Sequence, residues 1–236
     1  MNAACLFATK GSLVRYIDIS PQIEAGTAVW PGDQGFQRDP RWNLSSGDSV
    51  SVSTVTITTH IGAHIDAPSH VREGAPSVES TPIDACLGKC LVVDVSGLLE
   101  RGSQPHGYAP AAEVWTRIAK LSEQDLECGP IERLLLRHRA APMTVWDPQT
   151  PGIDPELVRW FGEQGGRLLG LDLASFDPER STELPAHHAA IDAGVVMLEG
   201  LDLSHAEEGI AQLTALPIPW RGADAAPVRA VLGYAD

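Results

Sequence analysis

The chain predicts an α/β fold with a mixed β-sheet core and flanking helices, and three observations carry that expectation. Compact apolar runs bounded by polar residues or glycine recur, as buried strands do: Leu91-Val-Val-Asp-Val95, Leu134-Leu-Leu136, Leu168-Leu-Gly-Leu-Asp-Leu173 and Val195-Val-Met-Leu-Glu199. Helical patterning lies between them, at 111–121 and 154–165, so strand and helix alternate. At 236 residues the chain is long enough for one sizeable core, and nothing divides it, so 1–236 is read as a single domain.

Taken in chain order, 13–20 (Leu-Val-Arg-Tyr-Ile-Asp-Ile-Ser) is rich in β-formers and stops at Pro21, which makes it the first strand. Trp30-Pro-Gly-Asp33 is a turn, with Pro and Gly where turn chemistry prefers them. Read from the residues alone, Trp30 is either an exposed aromatic or, slightly favoured, a core plug beside the turn. Residues 49–59 are almost all β-branched or small, with Val50 and Val52 on one phase and Val55 and Ile57 on the other. That predicts a strand running into His60, its slipped register explained by a bulge near Ser53 and Thr54 or by burial on both faces. The helix of 154–165 opens with Asp-Pro-Glu, an N-cap followed by Pro at the first helical position. Residues 213–217 and 228–232 add two further strands, while 100–110 is loop-like and 123–130 polar.

The formal net charge of −14 opposes nucleic acid and anionic membrane surfaces, both of which need a basic face, and leaves a small molecule as the expected partner. No apolar run approaches the roughly 18 residues of a membrane span. The short apolar patch at 1–10 has no basic region ahead of it, which argues against a secretory signal and for a cytoplasmic protein. Cys5, Cys86, Cys90 and Cys128 show neither a CxxC pair nor a disulfide framework and are read as reduced, partly buried thiols. A helix would put Cys86 and Cys90 on one face, but Gly88 weakens it.

Within His60-Ile-Gly-Ala-His64-Ile-Asp66-Ala-Pro-Ser-His70 stand three histidines and a carboxylate, the ligand types of zinc and similar divalent ions. The spacing suggests His60, His64 and Asp66 as ligands, with His70 left for proton transfer; the alternative is a His-rich loop without metal. In a flat strand His60 and His64 would stand about 13 Å apart, too far for one ion, so the chain must bend. Gly62 permits the bend, and a coiled loop is expected from there to His70. Glu199 ends an apolar run and needs a compensating charge, from arginine or from a metal. A metal is plausible because His187 stands twelve residues earlier, in Pro185-Ala-His-His-Ala189, although His187 and His188 could equally open a solvated helix. Five ligands suit two ions bridged by carboxylate, a pattern used for hydrolysis.

The motif His60-x-Gly-x-His64-x-Asp66-x-Pro-x-His70, with Trp30-Pro-Gly-Asp33 upstream and His187 to Glu199 downstream, resembles the cyclase-like metal hydrolase family, most closely its bacterial kynurenine formamidase (arylformamidase) branch. The resemblance implies a swivelling β/α/β domain, usually a homodimer or larger, with His60, His64, Asp66, His187 and Glu199 holding two Zn²⁺, or Mn²⁺ as in some relatives. Asp66 and Glu199 would bridge, His70 would be the general acid/base, and Trp30 would line the substrate pocket. The activity implied is hydrolysis of N-formyl-L-kynurenine to L-kynurenine and formate in tryptophan degradation. His106, His138, His188 and His205 carry no role and are read as surface or structural. Two departures stand out: Ala63 where many members have Thr, and a longer segment over 97–130. Rival readings are opening of an isatin-like lactam, a cyclisation in secondary metabolism, and a metal-binding domain without catalysis, which would have no use for His70 or Trp30.

Overall fold

The apolar runs form the buried centre of the fold in the computed structural model, which describes residues 14–98, 111–124 and 130–235. The elements are β1 (Val14–Asp18), β2 (Gln37–Trp42), β3 (Val52–Thr56), β4 (His64–Asp66), β5 (Leu87–Asp94), α1 (Ala111–Gln124), β6 (Arg133–Arg137), α2 (Pro155–Glu163), β7 (Leu168–Leu171), α3 (Pro185–Ala193), β8 (Val196–Glu199), β9 (Gly209–Thr214), β10 (Ala225–Pro227) and β11 (Val231–Ala235). Strands β5, β6, β7 and β8 run parallel, as the alternation with helices demands. Antiparallel strands extend this centre on both sides, giving the order β1-β11-β9-β5-β6-β7-β8-β4-β10. The class is therefore mixed α/β, as the sequence predicts.

Helices cover one face of the sheet. Val114 and Ile118 of α1, Leu157, Val158 and Phe161 of α2, and Ala186, Ala189 and Ala190 of α3 pack on Leu91, Leu134, Leu169 and Met197. The opposite face curls onto itself, so that Ile65, Leu135 and Leu198 share a cluster with Leu213, Leu232 and Ile19. Across the curl the Asp202 N–H donates to the Ile19 carbonyl at 2.8 Å. Asp154 caps α2 by accepting from the Glu156 N–H at 2.8 Å, as its position before Pro155 predicts.

Several boundaries differ from the sequence reading. The strand expected over 49–59 is only Val52–Thr56; it is exposed along its length and pairs with β2 as a separate two-stranded ribbon. Its apolar residues do not alternate because neither face is buried, and the register irregularity lies on β2, between Pro40 and Trp42. The expected coiled loop contains a three-residue strand, β4, and a 3₁₀ turn over Pro68–His70. The strands expected at 213–217 and 228–232 are displaced to β9 and β11, and β2 and β10 carry no strand signal in the sequence. Cys86 and Cys90 are buried free thiols, not a helix face: Cys90 lies in β5 and Cys86 just before it. Cys5, Cys128 and His106 lie outside the described residues.

Candidate metal centre and pocket

β4 lies antiparallel between β8 and β10, with His64 opposite Glu199 and Asp66 opposite Ala225. Successive side chains of a strand point to opposite faces. Ile65 therefore enters the core, fully buried, while His64 and Asp66 share the other face. Gly62 adopts φ 61°, a left-handed conformation that turns the chain sharply and brings the His60 ring to 5.1 Å from that of His64. Close packing holds this turn in place, because any Cβ at Gly200 would run into the Gly62 carbonyl. The 3₁₀ turn, with Pro68 at its start, presents His70 at 4.3 Å from the His60 ring and 5.8 Å from that of His187.

The five residues read as ligands from the sequence stand together. Asp66 Oδ1 lies 3.0 Å from His60 Nδ1 and 3.3 Å from His64 Nε2, and Asp66 Oδ2 lies 3.6 Å from His187 Nε2. Glu199 Oε2 is 3.4 Å from His64 Nε2, and Oε1 is 3.5 Å from His187 Nε2 while accepting from the Phe176 N–H at 2.8 Å. His70 stands farther off, its Nε2 at 3.9 Å from Asp66 Oδ2. His187 is buried on α3, so the solvated helix start weighed from the sequence is replaced by a helix whose first turn faces the site.

Each of the three histidines has one ring nitrogen engaged outward and the other facing the carboxylates. His187 Nδ1 pairs with Asp177 at 2.7 Å, His64 Nδ1 donates to the Gly62 carbonyl at 2.9 Å, and His60 Nε2 pairs with Asp224 at 3.1 Å. This is how metal-binding imidazoles are held, the outer partner fixing tautomer and ring orientation. Asp177 and Asp224 carry no motif, and only the fold brings them here.

Burial sharpens the point. Asp66 and Glu199 are nearly inaccessible, and both Asp66 oxygens and His64 Nε2 have no hydrogen-bond partner among the described residues. Orphaned buried polar atoms cost roughly 1–3 kcal/mol each, more when charged, unless something satisfies them. Three sets, His60/His64/Asp66, His60/His70/Asp224 and Asp66/His70/His187, have ligand atoms within 4.8 Å of one another and could hold a metal ion. The donors fit a divalent cation of the zinc or manganese kind.

The electrostatics agree. Burial opposes charge on His64, but Asp66 and Glu199 outweigh it and hold the imidazole up at about 10. For His187 burial is likewise outweighed, here by Asp177 and then Asp66, with the same result of about 10. The carboxylates thus favour positive charge between them, which a metal would supply in place of protons. His70 moves the other way: burial and the neighbouring His60 and His187 outweigh Asp66 and depress it below the usual histidine range.

The centre opens into a cavity of about 900 Å³. Trp30 lines it, half-buried, and is not the core plug that its residue type alone favours. Its ring meets Trp146 edge to face at 5.1 Å, and the Trp146 Nε1–H donates to Glu179 at 2.6 Å. Trp146 is a pocket residue that the sequence does not single out, since it sits in the irregular segment after β6. His138 is buried and pairs with Asp172 at 3.1 Å; His188 is half-buried on α3 and His205 is exposed.

Residues 17–178 match the Cyclase family model. The chain is 36% identical over 215 residues to the kynurenine formamidase of Maricaulis maris (strain MCS10), covering 91% of this chain and 96% of that one. A solved structure of a potential metal-dependent hydrolase with cyclase activity matches with TM-score 0.73 at 23% identity, over 95% of this chain and 100% of the other. Isatin hydrolase A from Labrenzia aggregata, bound to benzyl benzoate, matches with TM-score 0.74 at 21% identity, over 94% of each chain. These two structural likenesses speak for the fold.

Proposed function

Because the chain belongs to the Cyclase family, we propose that it is a metal-dependent arylformamidase hydrolysing N-formyl-L-kynurenine to L-kynurenine and formate. The likeness to a kynurenine formamidase over nine-tenths of the chain supports the substrate. The observation that carries the chemistry is the orphaned carboxylate of Asp66, ringed by His60, His64 and His187.

His60, His64, Asp66, His187 and Glu199 would hold two divalent ions, Zn²⁺ or Mn²⁺. In support, Asp66 turns one oxygen toward His60 and His64 and the other toward His187. A metal held there would supply Lewis-acid chemistry, able to bring the pKa of a water from about 15.7 to about 7. His70, whose depressed pKa keeps it neutral near pH 7, takes a proton from the attacking water and returns it to the aniline nitrogen as the C–N bond breaks. Trp30 and Trp146 hold the aryl ring at the wall of the cavity.

We read the chain as a single domain, 1–236, acting in the cytoplasm as a homodimer or larger assembly on a small molecule. The exposed ribbon β2–β3 supports assembly, since it presents Trp42, Val52 and Val55 at 55%, 39% and 49% exposure. No described helix is long and apolar enough to cross a membrane. Ring opening of an isatin-like lactam is the second reading, favoured by the fold shared with isatin hydrolase A and by the two tryptophans, Trp30 and Trp146, that line the cavity.

Purified protein loaded with zinc, and separately with manganese, is to be given N-formyl-L-kynurenine, formylanthranilate and isatin, with metal analysis on the same samples. Equimolar kynurenine and formate are expected. Turnover of isatin alone would remove the formamidase assignment, and metal without any turnover would leave a binding domain.

A further inference from the structure

We propose that Asp224 is a positioning residue that fixes His60 and His70 at this centre; the inference rests on the metal-hydrolase reading above. Neither the motif nor the ligand set includes Asp224, which lies 164 residues from His60 in the chain.

Its backbone is pinned on both sides. The Asp224 carbonyl accepts from the Ala67 N–H at 2.8 Å, the neighbouring Ala223 carbonyl accepts from the Val78 N–H at 2.9 Å, and the next residue pairs in β10 with Asp66. The carboxylate is thus carried on the sheet rather than on a free loop. Oδ1 accepts from the Thr59 hydroxyl at 3.1 Å, which leaves Oδ2 aimed at the histidines.

An ionised carboxylate only accepts hydrogen bonds, so the contact at 3.1 Å requires His60 Nε2 to carry a proton. The lone pair then belongs to Nδ1, the nitrogen 3.0 Å from Asp66 Oδ1. Without Asp224 the His60 ring is free to present either nitrogen. The same Oδ2 lies 3.7 Å from His70 Nδ1, on the side away from Asp66, while His70 Nε2 faces Asp66 Oδ2 at 3.9 Å. One carboxylate oxygen therefore draws the outer nitrogens of a ligand and of the proton carrier, leaving the inner nitrogen of each directed at the centre. A direct ligand role is the rival, because His60, His70 and Asp224 are close enough to share an ion. Against it, Asp224 is about half exposed and engages the His60 nitrogen that faces away from Asp66.

The test compares Asp224→Ala and Asp224→Asn with the parent chain, using zinc affinity by chelator competition, zinc stoichiometry at saturation, kcat and KM, and ¹⁵N–¹¹³Cd coupling in cadmium-substituted protein. In the parent, coupling is expected at His60 Nδ1. Asp224→Ala should weaken zinc binding by roughly 10- to 100-fold, leave the saturating stoichiometry unchanged, and scramble or abolish the His60 coupling. Asp224→Asn keeps an acceptor for His60 and should restore most of the affinity, yet kcat should stay low with KM little changed, because the charge facing His70 is gone. Loss of one zinc equivalent at saturation would make Asp224 a ligand and overturn the proposal, as would unchanged affinity and kcat in the Ala variant. A parent chain that binds neither zinc nor cadmium overturns the metal-hydrolase reading itself.

Discussion

His70 differs from the proposed ligands in what its removal is expected to take away. Its nitrogens stand 3.7 and 3.9 Å from the nearest carboxylate oxygens, while His60, His64 and His187 each have one ring nitrogen engaged by a hydrogen-bond partner. His70→Ala is accordingly expected to lower kcat by about 10²–10⁴-fold with metal content unchanged, measured as product release alongside metal analysis. Undiminished turnover would take His70 out of the mechanism. His60, His64, Asp66, His70, His187 and Glu199 are legible in the sequence because ligand-type residues cluster at short spacing or end an apolar run. Asp177, Asp224 and Trp146 are not. A lone aspartate has no signature until the fold decides which nitrogen it meets, and Trp146 is one of six tryptophans with nothing local to distinguish it.

Among the elements, α3 is the one whose integrity and the site's geometry share a residue. No side chain caps it at Leu184, which adopts a left-handed φ of 44°. Asp177 takes over from outside the helix, accepting from the N–H groups of Ala186 and His187 at 3.1 and 3.0 Å, and from His187 Nδ1. Asp177→Ala should therefore cost about 0.5–2 kcal/mol of stability by urea unfolding and weaken metal binding roughly 10- to 100-fold. A loss in only one of the two would separate the cap from the orienting role. At the far end of β5, Asp94 pairs with Arg137 of β6 at 2.6 Å and is capped by Ser96. Partial burial raises its pKa, but Ser96 and Arg137 outweigh that and hold it down at about 2. Such a depressed carboxyl stabilises the fold above its unfolded value of about 3.9, and the gain is lost as pH falls through 2. Asp94→Asn should cost about 1–2 kcal/mol at pH 7, allowing for solvent screening, and almost nothing near pH 2. Equal losses at both pH values would show that packing, not charge, is at work. The parallel centre and α2 are legible because burial on both faces and an N-cap leave strong local signals. β2, β4 and β10 are not, being short or exposed and defined only by the strands they meet.

For the whole molecule, the ribbon β2–β3 is the part least explained by a lone chain. Its apolar side chains face water beside Arg38 and Arg41, which bond across to Ser53 and Thr54. In light scattering the protein should run at twice the chain mass or more. Trp42→Glu combined with Val55→Glu should shift it toward the monomer, and a monomeric parent would leave the ribbon to some other use.

β4 is three residues long, lies one strand in from the sheet's end, and has only β10 beyond it. Its hold on the sheet is a handful of backbone hydrogen bonds plus Ile65, whereas His64 stands 3.4 Å from Glu199 of β8 and Asp66 3.6 Å from His187 of α3. Amide exchange should report this. With metal present, the N–H groups of β4 and its neighbours are expected to exchange as slowly as those of β6; after chelation they should open locally while β6 stays protected. A metal bound on so slight a strand would also act as its fastener.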